Sequence, residues 1–255
     1  MRIVTFNLRV EAAEDGINRF FLRQGMIIDK IRRELPEVLG FQECGDAMGA
    51  ALRRGLGDLY DMAGCGREAD CHGESNMVAF RRDALELLHL DTFWLSPTPR
   101  IPGSRFDKQS ACPRICTCAA LRCVGDGKIF RVYNTHLDHI SDIARQLGAA
   151  AVMARILADY REWPLPLLLT GDFNATPESM PVLVFTEHEQ LPLRDLTEGV
   201  GSSFHNFGRI PEEEQTRIDF IMANGVLSGP ARRWEDYDSG MYLSDHYPLE
   251  AGFTL

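Results

Sequence analysis

The sequence predicts a mixed α/β fold in which two packed β-sheets carry helices on their outer faces. Three features point to it. Apolar runs of strand length recur along the whole chain. Segments with helical spacing follow Asn7, Glu43, His136 and Asn174, as crossover helices do, while strand pairs occupy the middle. The strand-like runs also end in carboxylates, amides and histidines.

The clearest of these runs is Leu167-Leu168-Leu169-Thr170-Gly171-Asp172-Phe173-Asn174. Its apolar start reads as a buried strand. Asp172 and Asn174 are two residues apart, so at strand period both leave the same face. A carboxylate and an amide at a buried strand end are costly unless something uses them. An isolated Asp-x-Asn would read as an Asx turn; here other strands end in the same way.

The other elements follow in order. Arg2 to Leu8 reads as the first strand, with Thr5 and Asn7 on one face. Asn18 to Leu35 reads as a helix whose stripe is Phe20, Gln24, Ile27, Ile31 and Leu35, stopped by Pro36. Val38 to Glu43 is a strand and Asp46 to Leu56 a glycine-weakened helix. Asp61 to Ser75 is expected to be a polar loop containing Glu74. Asn76 to Arg81 and Leu85 to Phe93 are expected to pair as a hairpin around Arg82-Asp83. After a proline-rich loop from Ser96 to Pro113, Ile115 to Cys123 and Ile129 to His136 form a strand pair turned by Gly125-Asp126-Gly127. Asp142 to Tyr160 reads as a helix with core stripe Ile143, Leu147, Ala151 and Ala154. Beyond the strand that starts at Leu167 come a short helix over Pro181 to Glu187, a polar loop over Gly199 to Thr216 and a strand from Arg217 to Met222. An outer strand over Ala231 to Asp236 and the last strand, Leu249 to Phe253, complete the chain. No internal repeat or coiled coil is visible, and residues 1–255 read as one catalytic domain.

Composition bounds the function. With 255 residues and 45% apolar content, the upper part of the single-domain range fits. A net charge of -10 argues against extended duplex nucleic acid, which is bound by neutralising phosphates. No run approaches a membrane span and Met1 leads directly into a strand, so a cytoplasmic home without membrane attachment is expected. Seven cysteines cannot form a complete disulfide set. Cys112, Cys116, Cys118 and Cys123 are clustered, but Cys116 and Cys118 fall on one face of a strand, as core residues would. Buried free thiols are expected there rather than zinc.

Asn7, Glu43, His136, Asp172, Asn174, Asp219, Asp245 and His246 all lie at or just past strand-like runs. Taken singly, each has a structural explanation. Together, four acids, two histidines and two amides would converge at one end of the sheets. Carboxylate and amide oxygens suit magnesium or manganese better than zinc. Such a set can neutralise phosphoryl oxygens and make a nucleophile from water. Glu43 can hold the metal, Asp172 or Asp245 can orient or deprotonate water, and His246 can donate to a phosphoryl oxygen with Asp219 holding its tautomer. No Gly-x-Ser-x-Gly elbow, Gly-Lys phosphate loop or His-Glu-x-x-His run is present.

Thr5-Phe6-Asn7, Gln42-Glu43, Asn134-Thr135-His136, Gly171-Asp172-Phe173-Asn174, Arg217-Ile218-Asp219 and Ser244-Asp245-His246 together resemble the endonuclease/exonuclease/phosphatase (DNase I-like) superfamily. The resemblance spans essentially the whole chain. It is nearest to small bacterial stand-alone members that look like the CCR4-type catalytic domain. It implies a four-layer α/β/β/α sandwich with two central mixed sheets and an Mg2+- or Mn2+-dependent phosphoesterase. By that resemblance Glu43 is the principal metal ligand, with Asn7 and Asp245 beside it. Asp172 activates water, Asn174 steadies a phosphate oxygen, and His246, oriented by Asp219, works at the phosphate. His136 is a second phosphate contact, supported by Glu74. Arg114, Phe204 and His205 are candidate substrate contacts. The expected reaction is hydrolysis of a nucleic acid or nucleotide phosphodiester, with a phosphomonoesterase on a phosphorylated sugar, inositol or nucleotide as the alternative. The expected partner is a phosphorylated small molecule, a nucleotide or a short single strand, and nothing calls for an obligate protein partner.

Overall fold

A computed structural model describes residues 1–255. The apolar runs at the centre of the molecule become strands because each can bury both faces. β1 (Arg2–Asn7) leads through α1 (Phe20–Glu34) to β2 (Val38–Gln42), and α2 (Asp46–Leu56) leads to β3 (Tyr60–Ala63) and β4 (Val78–Arg81). There follow β5 (Leu85–Trp94), β6 (Ile115–Cys123), β7 (Ile129–His136), α3 (Asp142–Glu162), β8 (Leu167–Asp172), α4 (Met180–Thr186) and β9 (Arg194–Asp195). The chain ends with β10 (Asp219–Asn224), β11 (Leu227–Arg233), a small ribbon of β12 (Tyr237–Asp238) and β13 (Met241–Tyr242), and β14 (Leu249–Thr254).

The strands form two six-stranded sheets, ordered β11-β14-β1-β2-β4-β3 and β5-β6-β7-β8-β10-β9. Each has one parallel pair at its centre, β1 with β2 and β7 with β8, and antiparallel neighbours on either side. A parallel pair needs a crossover, and α1 and α3 supply the two. Phe20, Ile27, Leu52 and Trp234 fill the layer outside the first sheet. Val152, Met153, Ile156 and Phe185 fill the layer outside the second. Ile3, Val38, Phe130, Leu168, Ile221 and Phe253 are sealed between the sheets. The result is the four-layer α/β/β/α sandwich that the sequence implies. No helix is long and apolar enough to cross a membrane.

Under the site, the inter-sheet layer turns polar. Gln42 Nε2 donates to Asn134 Oδ1 at 2.7 Å and to Thr5 Oγ1 at 3.1 Å, and Asn134 Nδ2 donates to the carbonyls of Phe41 and Met77. This network cross-links the two sheets at their centre. Gly40 allows the approach, since a Cβ there would lie 2.2 Å from Thr170 Oγ1.

Four expectations are corrected. β4 and β5 do not pair. β4 lies between β2 and β3, and β5 pairs with β6, because the bend at Arg82–Ala84 carries the chain from one sheet to the other. Phe80 and Leu85 are both buried between the sheets, which fixes the crossing. Tyr60–Ala63, the start of the expected loop, is the edge strand β3. The buried face of α3 is Ala144, Gly148, Ala149, Val152, Met153 and Ile156, while Ile143 and Leu147 are 60% and 42% exposed. Small residues seat this helix: Gly148 packs against Leu95 and Leu137. The larger apolar residues were the misleading signal. The outer strand also runs earlier than expected, over Leu227–Arg233, with a register shift between Ser228 and Ala231.

Candidate active site

The parallel pairs set the site. Asn7 ends β1, Glu43 follows β2, His136 ends β7 and Asp172 ends β8, so four central strands deliver polar residues to one end of the sandwich. Register does the rest: Asp172 lies opposite His136 on one side and Asp219 on the other. The turn before β14 brings Asp245 and His246 against Phe204 through an isolated bridge. The backbone is bent hard here. Arg9, Glu43 and Asn174 are non-glycine residues in the left-handed region, with φ of 52°, 57° and 49°. Such conformations are held by their surroundings and cluster at functional sites.

The eight strand-end residues converge on a cleft of about 360 Å3, of which all but Asn7 and Asp219 form the wall. Asn7 Nδ2 donates to Glu43 Oε1 at 3.1 Å and to Asp172 Oδ2 at 2.9 Å, while its Oδ1 accepts from the Arg9 N–H. This amide therefore spaces two acids, with its oxygen already engaged. Val10 N–H donates to the other Glu43 oxygen at 2.8 Å. Asn174 N–H holds Asp172 Oδ1, and Asn174 Nδ2 donates to the Leu137 carbonyl and to His136 Nε2 at 3.0 Å. The Leu137 contact fixes the orientation of that amide, so His136 Nε2 is an acceptor. His246 Nδ1 lies 2.8 Å from Asp219 Oδ2, which also accepts from Ser203 Oγ at 2.6 Å. His246 Nε2 remains on the cleft side, 3.8 Å from Asp172.

These contacts separate the two histidines. Burial, with Arg114 and Arg67 nearby, pushes His136 well below the ordinary imidazole range and keeps it neutral. Burial acts the same way on His246, but Asp219, Asp172 and Asp245 outweigh it and hold that ring charged, well above the ordinary range. The carboxylates divide too. Burial works against ionised Glu43, yet the Val10 and Asn7 donors prevail and lower it. Burial and the neighbouring Asp219 push Asp172 up to about 7. Glu43, His136 and Asp172 offer ligand atoms within 4.8 Å of one another, as do Asp172, Asp219 and His246. Asp245 stands apart from both groups, with Arg9 3.9 Å away.

The substrate candidates fall less uniformly. Arg114 lines the cleft, buried, with Nη2 2.8 Å from His139 Nδ1 and Nε 3.8 Å from Asp138. Phe204 lines it as well, its ring centroid 4.9 Å from that of His246. Glu74 is at the cleft but pairs with Arg67 at 2.6 Å, not with His136. His205 is not at the cleft. It is fully buried, stacked 3.9 Å from the Tyr247 ring, and its Nδ1 accepts from Gly208 N–H. Adjacent residues of an extended segment face opposite ways, so Phe204 and His205 could not both line one surface.

Arg9, Arg67, Cys112 and His139 also line the cleft and are not among the candidate site residues read from sequence. His139, three residues past His136 and facing Arg114, carried some signal. Arg67 carried none: it sits in a glycine-rich turn, placed by its carbonyl accepting from Trp94 Nε1 at 2.6 Å.

A two-sheet sandwich whose parallel strand pairs deliver acids, amides and a neutral histidine to one cleft, with a charged histidine from the turn before β14, is the architecture of a phosphoester hydrolase. Residues 4–246 match the Endonuclease/Exonuclease/phosphatase family, and the chain belongs to it. Among solved structures, an endonuclease/exonuclease/phosphatase from Bacteroides vulgatus is 32% identical, with TM-score 0.93 over 100% of this chain and 98% of that one. A mannosyl-6-phosphatase from Bacteroides thetaiotaomicron is 25% identical, with TM-score 0.91 over the whole of both chains. The catalytic domain of human Nocturnin shares the fold, at 17% identity and TM-score 0.77 over 100% of this chain and 93% of that one. No curated protein matches.

Proposed function

We propose that this chain is a divalent-cation-dependent phosphoesterase acting on a small phosphorylated molecule, with a terminal phosphate as the group removed. One observation carries the reading. A compact cleft has acids Glu43, Asp172 and Asp245 and cations Arg67 and Arg114 in the same wall. Its volume suits a sugar phosphate or a nucleotide better than a polymer strand. The full-length likeness to the mannosyl-6-phosphatase supports the same choice. The phosphomonoester alternative is thus preferred here to the phosphodiester expected from sequence.

The donor chemistry fits a hard cation. Glu43 and Asp172 would hold it, with His136 beside them and Asp245 further along the wall, an oxygen-rich set that suits magnesium or manganese. A bound ion of this kind supplies charge neutralisation at phosphoryl oxygens. The chain's own residues do the rest. Asp172, held at Oδ1 by the Asn174 N–H, orients the attacking water. His246 donates from Nε2 to the phosphoryl oxygens, where charge builds in the transition state, and Asp219 keeps Nδ1 engaged. Arg114 holds substrate oxygens.

The test is a panel with magnesium or manganese: phosphorylated sugars, nucleoside monophosphates, cyclic nucleotides, short RNA, and duplex DNA with and without an abasic site. Release of inorganic phosphate from small monoesters, well above any cleavage of diesters, is expected. Preferred cleavage of RNA or cyclic nucleotides would return the reading to a phosphodiesterase.

A further inference from the structure

The loop between β3 and β4 brings two free thiols together, Cys65 half-buried and Cys71 exposed. The chain doubles back at Cys71, a non-glycine residue in the left-handed region with φ of 62°. Cys71 N–H donates to the Glu68 carbonyl, and the Cys71 carbonyl accepts from Gly66 N–H, each at 2.9 Å. Gly66 permits this approach, since a Cβ there would lie 2.0 Å from the His72 carbonyl oxygen. The peptide that follows Cys65 is thus hydrogen-bonded to the peptide that follows Cys71, and each Cα is one bond from that pair. The two thiols are also within hydrogen-bonding reach of each other. A disulfide needs neighbouring backbones and converging side chains. Both are present here. The same loop carries Arg67 and Glu74, paired at 2.6 Å, to the cleft wall.

We propose that Cys65 and Cys71 close to a disulfide, a redox-reversible staple on the loop that forms this wall of the cleft. The oxidant is a small-molecule disulfide. The exposed Cys71 thiolate attacks one of its sulfurs, a mixed disulfide forms and one small thiol leaves. The Cys65 thiolate then attacks Cys71 Sγ and the second small thiol leaves. Two electrons pass from the protein pair to the oxidant, and the two protons end on the released thiols. The other cysteines are placed differently. Cys44, Cys116 and Cys118 are buried, and burial raises their thiols. Cys112 lies at the cleft and Cys123 beside Met1. Because Arg67 lies within the ring that the bridge closes, the state of the pair sets how firmly that wall is held. The proposal does not depend on what the cleft hydrolyses.

The experiment treats the reduced full-length chain with oxidised glutathione, alkylates the remaining thiols and maps the bridges by mass spectrometry. Two of the seven thiols are expected to be lost, joined as Cys65–Cys71, and a dithiol reductant should restore them. Cys65→Ser should stop at a glutathione adduct on Cys71, and Cys71→Ser should form no bridge. Amide hydrogen exchange at Gly66, Glu68 and Cys71 should slow roughly tenfold or more in the bridged protein, since closing the ring removes open states. Exchange in glutathione-treated Cys71→Ser should stay as it was. Glutathione that persists on Cys71 of the wild type, a first bridge between other cysteines, no thiol lost at all, or a bridged loop that exchanges at the reduced rate would overturn the proposal.

Discussion

Asp219 Oδ2 lies 2.8 Å from His246 Nδ1, and both side chains are almost wholly buried. The carboxylate holds the ring charged and turns its other nitrogen toward the cleft. A donor preplaced for transition-state charge contributes most to turnover, so His246→Ala should lower kcat roughly a hundredfold or more, with a smaller change in KM. Asp219→Asn should lose less in the same direction. Because both act through one ring, the double variant should fall short of the product of the single losses. Steady-state kinetics of the three folded proteins check this, and a His246→Ala protein of near-normal kcat would reject the assignment.

Phe204 and His205 should behave as different kinds of residue. Phe204→Ala removes a ring at the cleft and is expected to raise KM with little change in kcat. His205→Ala empties a stacked, buried position and should cost about 2 kcal/mol of stability, measured by denaturant unfolding. Burial lowers the His205 imidazole to about 4. Above pH 6.5 both folded and unfolded rings are neutral, and the stability is complete. As pH falls from 6.5 toward 4 the unfolded chain binds a proton that the folded one refuses, so stability falls by up to about 1.4 kcal/mol per pH unit from this group. His205→Phe should show a shallower loss across that window, and an identical slope would contradict the placement.

Cys116 and Cys118 pack with Phe93, Tyr133 and Leu169 in the core outside the second sheet, and burial raises both thiols. Cys112 lies instead at the cleft. Elemental analysis should therefore find no stoichiometric zinc on these residues. Cys116→Ala should cost about 1 kcal/mol as a packing defect. Zinc released in proportion to protein on substituting Cys116 and Cys118 would show the thiols to be ligands.

The sequence displayed the centre of this molecule better than its edges. Asn7, Glu43, His136 and Asp172 were visible because a polar residue closing an apolar run is costly without a use. Their strands are central and buried, so the pattern was simple. β3 escaped notice because edge strands carry half a pattern, with Asp61 exposed. The β4–β5 crossing escaped because local alternation does not say which sheet a strand joins. The α3 face was misread because Ala144, Gly148 and Ala149, with Val152, Met153 and Ile156, do the packing, not Ile143 and Leu147. Arg9 and Arg67 were hidden for another reason: loop shape places them, through the left-handed turn and the Asp15 pair for one and the Trp94 contact for the other.

The central claim is that the acids at the strand ends work through a divalent ion centred on Glu43. The most direct measurement is the rate of phosphate release on the best small substrate, for wild type and Glu43→Ala, each first chelated and then given back magnesium or manganese. The account predicts a chelated wild type that is inactive and recovers on metal addition, and a folded Glu43→Ala that remains at least roughly a hundredfold slower at moderate metal concentrations. Undiminished release after thorough chelation, together with a normal rate for Glu43→Ala, would contradict it.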